Sequence, residues 1–257
     1  AILRGEEEIT VEDMPDDQVL RFLIAYKFNT DLATKAVKDS IIWRKQQDFN
    51  SMAQTDMSKF AWLEEKIPHG FFGTDSNFRP IRFLRVTSFD FNEMLEKYTE
   101  QELIDYNVIY MERIVGMVFK WLEKNKKTEF LGMISVVDIK DFSMVSIIGK
   151  TKIIDLGKKI SAILSANYPQ TTEKIFVVNS GILFSTLFSL IQSILPESTV
   201  EKIKIYNNDY LPELLKFTTI ERIPKCLGGT FEGNFNEFEN PWDPSIREAI
   251  SNGKLSL

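Results

Sequence analysis

Residues 175–205, IFVVNSGILFSTLFSLIQSILPESTVEKIKI, limit the fold more than any other part of this chain. The stretch opens on a strand-like run, IFVV, and closes on another, KIKI. Between them 182–195 reads as a helix, roughly 21 Å long at 1.5 Å rise per residue. Phe184, Leu187, Phe188, Ile191 and Leu195 fall on one side, and Ile182, Leu183, Leu190 and Ile194 fill much of the rest. A surface helix ordinarily shows an apolar stripe of about 100° with charge opposite. This segment carries no charged residue, so it faces apolar surroundings on both sides or moves between them. A buried core helix of an α/β domain is the simplest such case. A membrane span is not, because the segment is shorter than the ~20 apolar residues a bilayer needs. Ser185, Ser189, Gln192 and Ser193 also interrupt it.

The chain around it changes character once. Residues from about 10 to 67 have helical spacing. Asp16 or Asp17 can start a helix after Pro15, and Asn29-Thr30-Asp31 turns into a second, with Leu32, Ala36, Val37, Ile41 and Trp43 on its apolar side. A shorter helical region spans 57–67. After Gly70 strand and helix patterns alternate. Residues 80–86, PIRFLRV, read as a strand with two arginines on one face, and 132–138, GMISVVD, as a strand buried in a parallel sheet. Residues 100–124 and 144–166 are helical in pattern, and Gly228-Gly229 marks a turn. Such alternation implies an α/β sheet with crossover connections.

At 257 residues the chain can build a proper core. A formal charge of −6 argues against nucleic acid as its main partner. Basic clusters at Lys124, Lys126 and Lys127, and at Lys150, Lys152, Lys158 and Lys159, are solvated surface or a membrane-facing patch. The single cysteine, Cys226, excludes an intrachain disulfide and fits a reducing compartment. The first residues show no basic-then-apolar signal pattern, so a cytosolic chain that meets membranes only peripherally is expected.

A catalytic constellation does not emerge. His69, the one histidine, lies between Pro68 and Gly70 and reads as a surface turn. No G-x-S-x-G or P-loop surrounds a nucleophile or a phosphate. Asp138 at the end of a buried strand reads as a hydrogen-bonding loop residue before a catalytic one, and Cys226 as a small packed side chain. A binding role suits the residues better. An apolar cavity with a few polar groups at one end is the usual site for a greasy ligand. Thr199 and Lys202 follow the uncharged helix through the turn at Pro196. A hydroxyl and an ammonium there suit a phosphate.

Several segments, in order, resemble the CRAL-TRIO lipid-binding family, in the branch of the yeast-type phosphatidylinositol/phosphatidylcholine transfer proteins. They are DDQVLRFLIAYKFNTDLATKAVKDSIIWRK at 16–45, FRPIRF at 78–83, VVDIKDFS at 136–143, NYPQTTEKIFVVNSGILFSTLF at 167–188, TVEKI at 199–203 and IPKCLGG at 223–229. The resemblance implies an α/β fold in which a mixed, mostly parallel β-sheet floors a lipid cavity beneath a gate helix. A small all-helical N-terminal lobe (1–69) would precede the lipid-binding domain (70–257). The gate falls on 182–195, with Met133, Phe184, Leu187, Phe188 and Ile191 against the acyl chains. No covalent chemistry and no cofactor are implied.

The headgroup residues carry over in part. The family's inositol-phosphate site uses an Arg-Lys pair in the first helix, an acidic residue after Tyr-Pro, and a Thr and Lys beyond the gate. Lys27, Thr199 and Lys202 match it; Tyr26 and Gln170 depart, although both can still hydrogen-bond to an inositol or phosphate oxygen. The phosphatidylcholine site departs further, its Ser and Thr falling at Met133 and Ser135 and a tyrosine at Arg82. An arginine there would repel choline's cation, which prefers an aromatic cage. Facing inward, Arg82 would favour an anionic lipid; facing outward, it is a solvated strand residue. The expected protein is a monomeric carrier of a phospholipid, phosphatidylinositol favoured and phosphatidylcholine disfavoured. It would visit membranes transiently and could present its lipid to a lipid kinase. The alternatives are a binder of a neutral, tocopherol- or retinoid-like hydrophobe, and a lipid-dependent sensor or scaffold.

Overall fold

Pro15 and the acidic pair Asp16 and Asp17, which complement the helix dipole, start α1 (Asp16–Ala25). It ends where Lys27 and Phe28 take left-handed backbone, with φ of 52° and 60°. Asn29 then caps α2 (Thr30–Gln46), its side-chain oxygen accepting the Leu32 N–H at 3.1 Å. Between the two helices Phe22 packs with Val37 and Ile41, and Met14 closes the cluster. Leu32, expected on the apolar side of α2, is instead 52% exposed. The register of α2 is set by Ala33, Val37 and Ile41. The computed structural model describes residues 9–47, 49, 52, 55–75, 77, 79–86, 90–114, 132–142, 151–181, 184, 188, 189 and 192–232, without the side chains of 72–74 and 113–114.

A 3₁₀ turn (Met57–Phe60) and α3 (Ala61–Lys66) lead into a five-stranded sheet in the order β1-β2-β3-β4-β5. The strands are β1 (His69–Thr74), β2 (Pro80–Arg85), β3 (Met133–Asp138), β4 (Thr172–Val178) and β5 (Ile203–Ile205). β1 pairs antiparallel with β2, and every other pairing is parallel. The expected mixed, mostly parallel sheet is therefore present. IFVV lies in β4, KIKI contributes β5, and the uncharged segment is their crossover. Helices α4 (Phe91–Lys97), α5 (Glu100–Ile114) and α6 (Thr151–Asn167) fill the connections before β4; α7 (Glu197–Val200) precedes β5 and α8 (Leu211–Leu214) follows it. The expected helices at 100–124 and 144–166 run partly outside the described residues.

The two faces of the sheet differ. On one, Ile81, Phe83, Ile134, Val136, Phe176 and Val178 form a closed core with α8 and the segment ending at Leu227. Phe83 and Val178 are fully buried, each contributing roughly 1.5–3 kcal/mol. The other face carries Arg82, Leu84, Met133, Ser135, Val137, Ile175 and Val177, as side-chain alternation and the register Arg82↔Ser135↔Ile175 require. Alternation also corrects the reading of β2. Arg82 and Arg85 are three residues apart and so point to opposite faces.

The closed face explains two small motifs. Asp138, 0% exposed at the end of β3, accepts from Arg85 Nε at 3.0 Å, Asn179 Nδ2 at 2.7 Å and the Lys140 N–H at 3.1 Å. It ties three strand ends together, as its hydrogen-bonding reading anticipates. In IPKCLGG, Gly228 takes φ 85°, and a Cβ on Gly229 would lie 1.8 Å from the Ile223 carbonyl oxygen. Only glycine admits that close backbone approach. Cys226 in the same turn is exposed, not packed.

Candidate functional site

The open face of the sheet is covered in two parts. Over β3–β5 lie Phe184 and Phe188, helical in conformation, with ring centroids 6.1 Å apart. They pack with Val137, Ile175, Val177 and Ile203, and Phe184 is 3% exposed. Two positions four residues apart share a helix face, so the segment turns these aromatics onto the sheet. Leu187 and Ile191, expected beside them, lie outside the described residues. At the far end of the segment Ile194 approaches α6, where a Cβ on Gly157 would stand 3.2 Å from its Cγ2. A larger residue at 157 would press on the cover.

Over β1 and β2 the face opens into a cavity of about 240 Å³. Leu63, Met94, Leu103, Leu156 and Ile160 wall it with apolar side chains, and Leu84 lies on its floor. Its polar lining includes Arg82, His69, Tyr106 and Tyr110. Arg82 thus faces inward. Its guanidinium carbon lies 4.7 Å from the Tyr110 ring centroid, and the His69 ring meets the same ring edge-on at 4.5 Å. Arg82 Nε and the Tyr110 hydroxyl are both buried without a hydrogen-bond partner among the described residues. Such a group ordinarily costs about 1–3 kcal/mol. Met133 and Ser135 continue the same face at 3% and 6% exposure.

His69 is buried in β1 rather than standing in a surface turn. Its Nδ1 lies 2.9 Å from the Ile67 carbonyl. Burial, and then the charge of Arg82, push its pKa down to about 4, so the ring is neutral near neutrality. Burial raises the Tyr106 and Tyr110 phenols well above their ordinary value. Both are neutral hydroxyls.

The expected headgroup residues divide into two groups. Lys202, half-buried between α7 and β5, donates from Nζ to Gln170 Oε1 at 2.9 Å and to the Thr172 carbonyl at 2.8 Å. Burial lowers its pKa, opposed by Glu173. Thr199 lies one turn earlier on α7, its carbonyl accepting the Lys202 N–H at 3.1 Å. Gln170 and Lys202 are therefore joined side chain to side chain, and Thr199 adjoins them through its backbone. Tyr26 and Lys27 stand exposed in the turn after α1, and no hydrogen bond joins them to these three among the described residues.

The residue of α1 that does reach this cluster is Arg21. It is 5% exposed and donates to the Gln170 carbonyl at 3.2 Å. Gln170 itself has φ 56°. It is held on one side by Arg21 and on the other by Lys202. The sequence signal for Arg21 is a lone cation between Leu20 and Phe22 on a helix whose other charges lie at its start. A second tie joins α2 to α5 and the end of α6. Arg44 Nη2 and the Tyr168 hydroxyl both donate to Glu112 Oε1, at 2.6 and 2.5 Å.

No described helix is long and apolar enough to cross a membrane. The described residues contain no group of three or more His, Cys, Asp or Glu placed to hold a metal ion.

Residues 64–229 match the CRAL/TRIO domain. The chain is 29% identical to the SEC14 cytosolic factor of Candida glabrata over 238 residues, 90% of this chain and 76% of that protein. It is 24% identical to the phosphatidylinositol/phosphatidylcholine transfer protein SFH9 of Arabidopsis thaliana over 239 residues, 90% of this chain and 41% of the relative. The chain thus spans between 38% and 62% of the length of the curated plant relatives it matches. The crystal structure of Sfh5 superposes with a TM-score of 0.60 at 17% identity, covering 99% of this chain and 87% of that one. That likeness concerns the fold alone.

Proposed function

The chain belongs to the CRAL/TRIO family, in the branch of the Sec14-like phosphatidylinositol/phosphatidylcholine transfer proteins, and on that premise we propose that it binds and transfers a phospholipid. The observation that carries this reading is a sheet face that is apolar over β3–β5, hollow over β1–β2, and edged by the Gln170–Thr199–Lys202 cluster. A phospholipid is apolar over most of its length and phosphorylated at one end, and the face repeats that division.

In this reading residues 1–69 form an N-terminal lobe against a lipid-binding domain spanning 70–257. Lys202, Thr199 and Gln170 receive the phosphate end, with Tyr26 and Lys27 at its entrance. The uncharged segment 182–195 is the gate, which covers acyl chains when closed and meets the bilayer when open. Phosphatidylinositol is the favoured lipid, because a half-buried ammonium gains most from an anionic phosphate and Arg82 repels choline. The protein acts from the cytosol as a monomeric carrier without enzymatic turnover, and presentation of its lipid to a kinase follows from the same exposure of the headgroup.

The test is lipid identification by mass spectrometry on the purified protein, combined with transfer of labelled phosphatidylinositol between vesicles. Co-purified phospholipid and transfer that Lys202→Glu abolishes are expected. Transfer of phosphatidylinositol unchanged by Lys202→Glu would remove the headgroup assignment. An empty protein without transfer activity would sink the whole reading. A neutral hydrophobe bound equally by both forms would point to the tocopherol-like alternative.

A further inference from the structure

The cavity over β1 and β2 contains an electrostatic imbalance that packing alone does not require. Its walls are aliphatic, yet Arg82 places a cation inside, and none of its described lining residues is a carboxylate. Arg82 Nε and the Tyr110 hydroxyl are buried and unpartnered among the described residues. The guanidinium carbon lies 4.7 Å from the Tyr110 ring centroid, so the two side chains are in contact. Cation–π contact stabilises the guanidinium only in part and leaves the N–H and O–H donors unmet. A guanidinium offers donors and no acceptor, so what completes the site must bring acceptor oxygens and negative charge.

We propose that this cavity binds the oxyanion end of an amphiphile, a carboxylate or phosphate, with Arg82 and the Tyr110 hydroxyl as its donors and an alkyl chain along Leu84, Met94 and Ile160. The proposal rests on the lipid-binding reading and adds a second recognition point, on a different part of the sheet from Lys202. The surroundings favour it. Burial keeps His69 and the two tyrosines uncharged, and Glu64, which acts on both tyrosines, is exposed on α3 outside the lining. The only charge facing the ligand from the described lining is therefore that of Arg82. At about 240 Å³ the space falls below the ~300–1,000 Å³ of a pocket enclosing a whole drug-sized ligand. It fits one end of an amphiphile, not two chains and a bulky headgroup. A quaternary ammonium is excluded by the same charge that attracts the oxyanion.

Titration calorimetry on the delipidated full chain tests this with four probes of one chain length: laurate, dodecyl phosphate and dodecylphosphocholine, each below its critical micelle concentration, and dodecanol below its solubility limit. At least one anionic probe is expected to bind about tenfold or more tightly than dodecanol, since a charge-assisted hydrogen bond is worth that much. The tighter of the two anions identifies the source as carboxylate or phosphate. Arg82→Met should erase the preference. Tyr110→Phe, which removes one oxygen and keeps the ring, should weaken the anion about fivefold and leave dodecanol unchanged.

Equal binding of dodecanol and both anions, an anion preference that survives Arg82→Met in a folded protein, or tightest binding of dodecylphosphocholine would overturn the proposal. These results would leave phosphatidylinositol transfer and its dependence on Lys202 intact. Binding of none of the four probes, together with no transfer, would overturn both readings.

Discussion

Replacing Asp138 by alanine should destabilise the protein without touching lipid transfer. The carboxylate is 0% exposed and accepts from Arg85, Asn179 and the Lys140 backbone N–H. Alanine removes the carboxylate acceptor that these three donors share at the carboxyl ends of the strands. Removing one member of a buried ion pair costs about 3–5 kcal/mol. Arg85 keeps 23% of its side chain exposed and can recover part of that from water, so the lower end, about 3 kcal/mol, applies. At ~2–4 °C per kcal/mol for a chain of this size, the melting temperature should fall by roughly 6–12 °C. Asp138→Asn keeps an oxygen for Asn179 and Lys140 but loses the charge facing Arg85, and should lose about half as much. Thermal scans and urea titrations give the stability, and vesicle transfer at a temperature where every variant is folded gives the function. The reasoning fails if the alanine variant melts within about 2 °C of the parent. It fails equally if transfer is lost while the melting temperature holds, because Asp138 would then belong to the function and not to the frame.

Acid should weaken the fold through His69. The unfolded ring takes up a proton near pH 6.5 and the buried one only near about 4. Its contribution is therefore whole above pH 6.5 and falls by up to about 3 kcal/mol as pH drops toward 4. Urea titrations at several pH values should show this slope, and His69→Phe should flatten it. Alkali should weaken binding of a phosphorylated headgroup, because burial lowers the Lys202 pKa and the ammonium is lost earlier than from an exposed lysine. Lys202→Arg should remove that pH dependence; a profile identical to the parent's would exclude Lys202 as the phosphate partner. At the cover, Gly157→Leu pushes into Ile194, whose Cγ2 would lie 3.2 Å from even a Cβ there. Spontaneous lipid exchange should accelerate several-fold, and an unchanged rate would mean that the segment does not move as a gate.

Phe184, Phe188 and the flanking runs IFVV and KIKI show what the sequence determined by itself. Strand-helix-strand periodicity and a helix without charge are local properties of residue order, and they suffice to specify a parallel crossover with an apolar cover. Asn29 and Pro15 likewise punctuate helices wherever the fold places them. Lys202 and Thr199 fall near the end of the uncharged segment because only a short turn separates them from it.

Other features were decided only in three dimensions. Arg82 was ambiguous in sequence because an alternating strand does not say which face is hollow; the helices over β1 and β2 decide that. His69, a turn residue by its Pro and Gly neighbours, is buried because α5 brings Tyr110 over β1. Leu32, apolar by pattern, is left exposed because nothing covers that side of α2 among the described residues. Arg21 meets Gln170 across 149 positions of chain, and no local pattern encodes such a contact. Residue order sets the elements and their apolar faces, while long-range packing decides which charges are taken out of water.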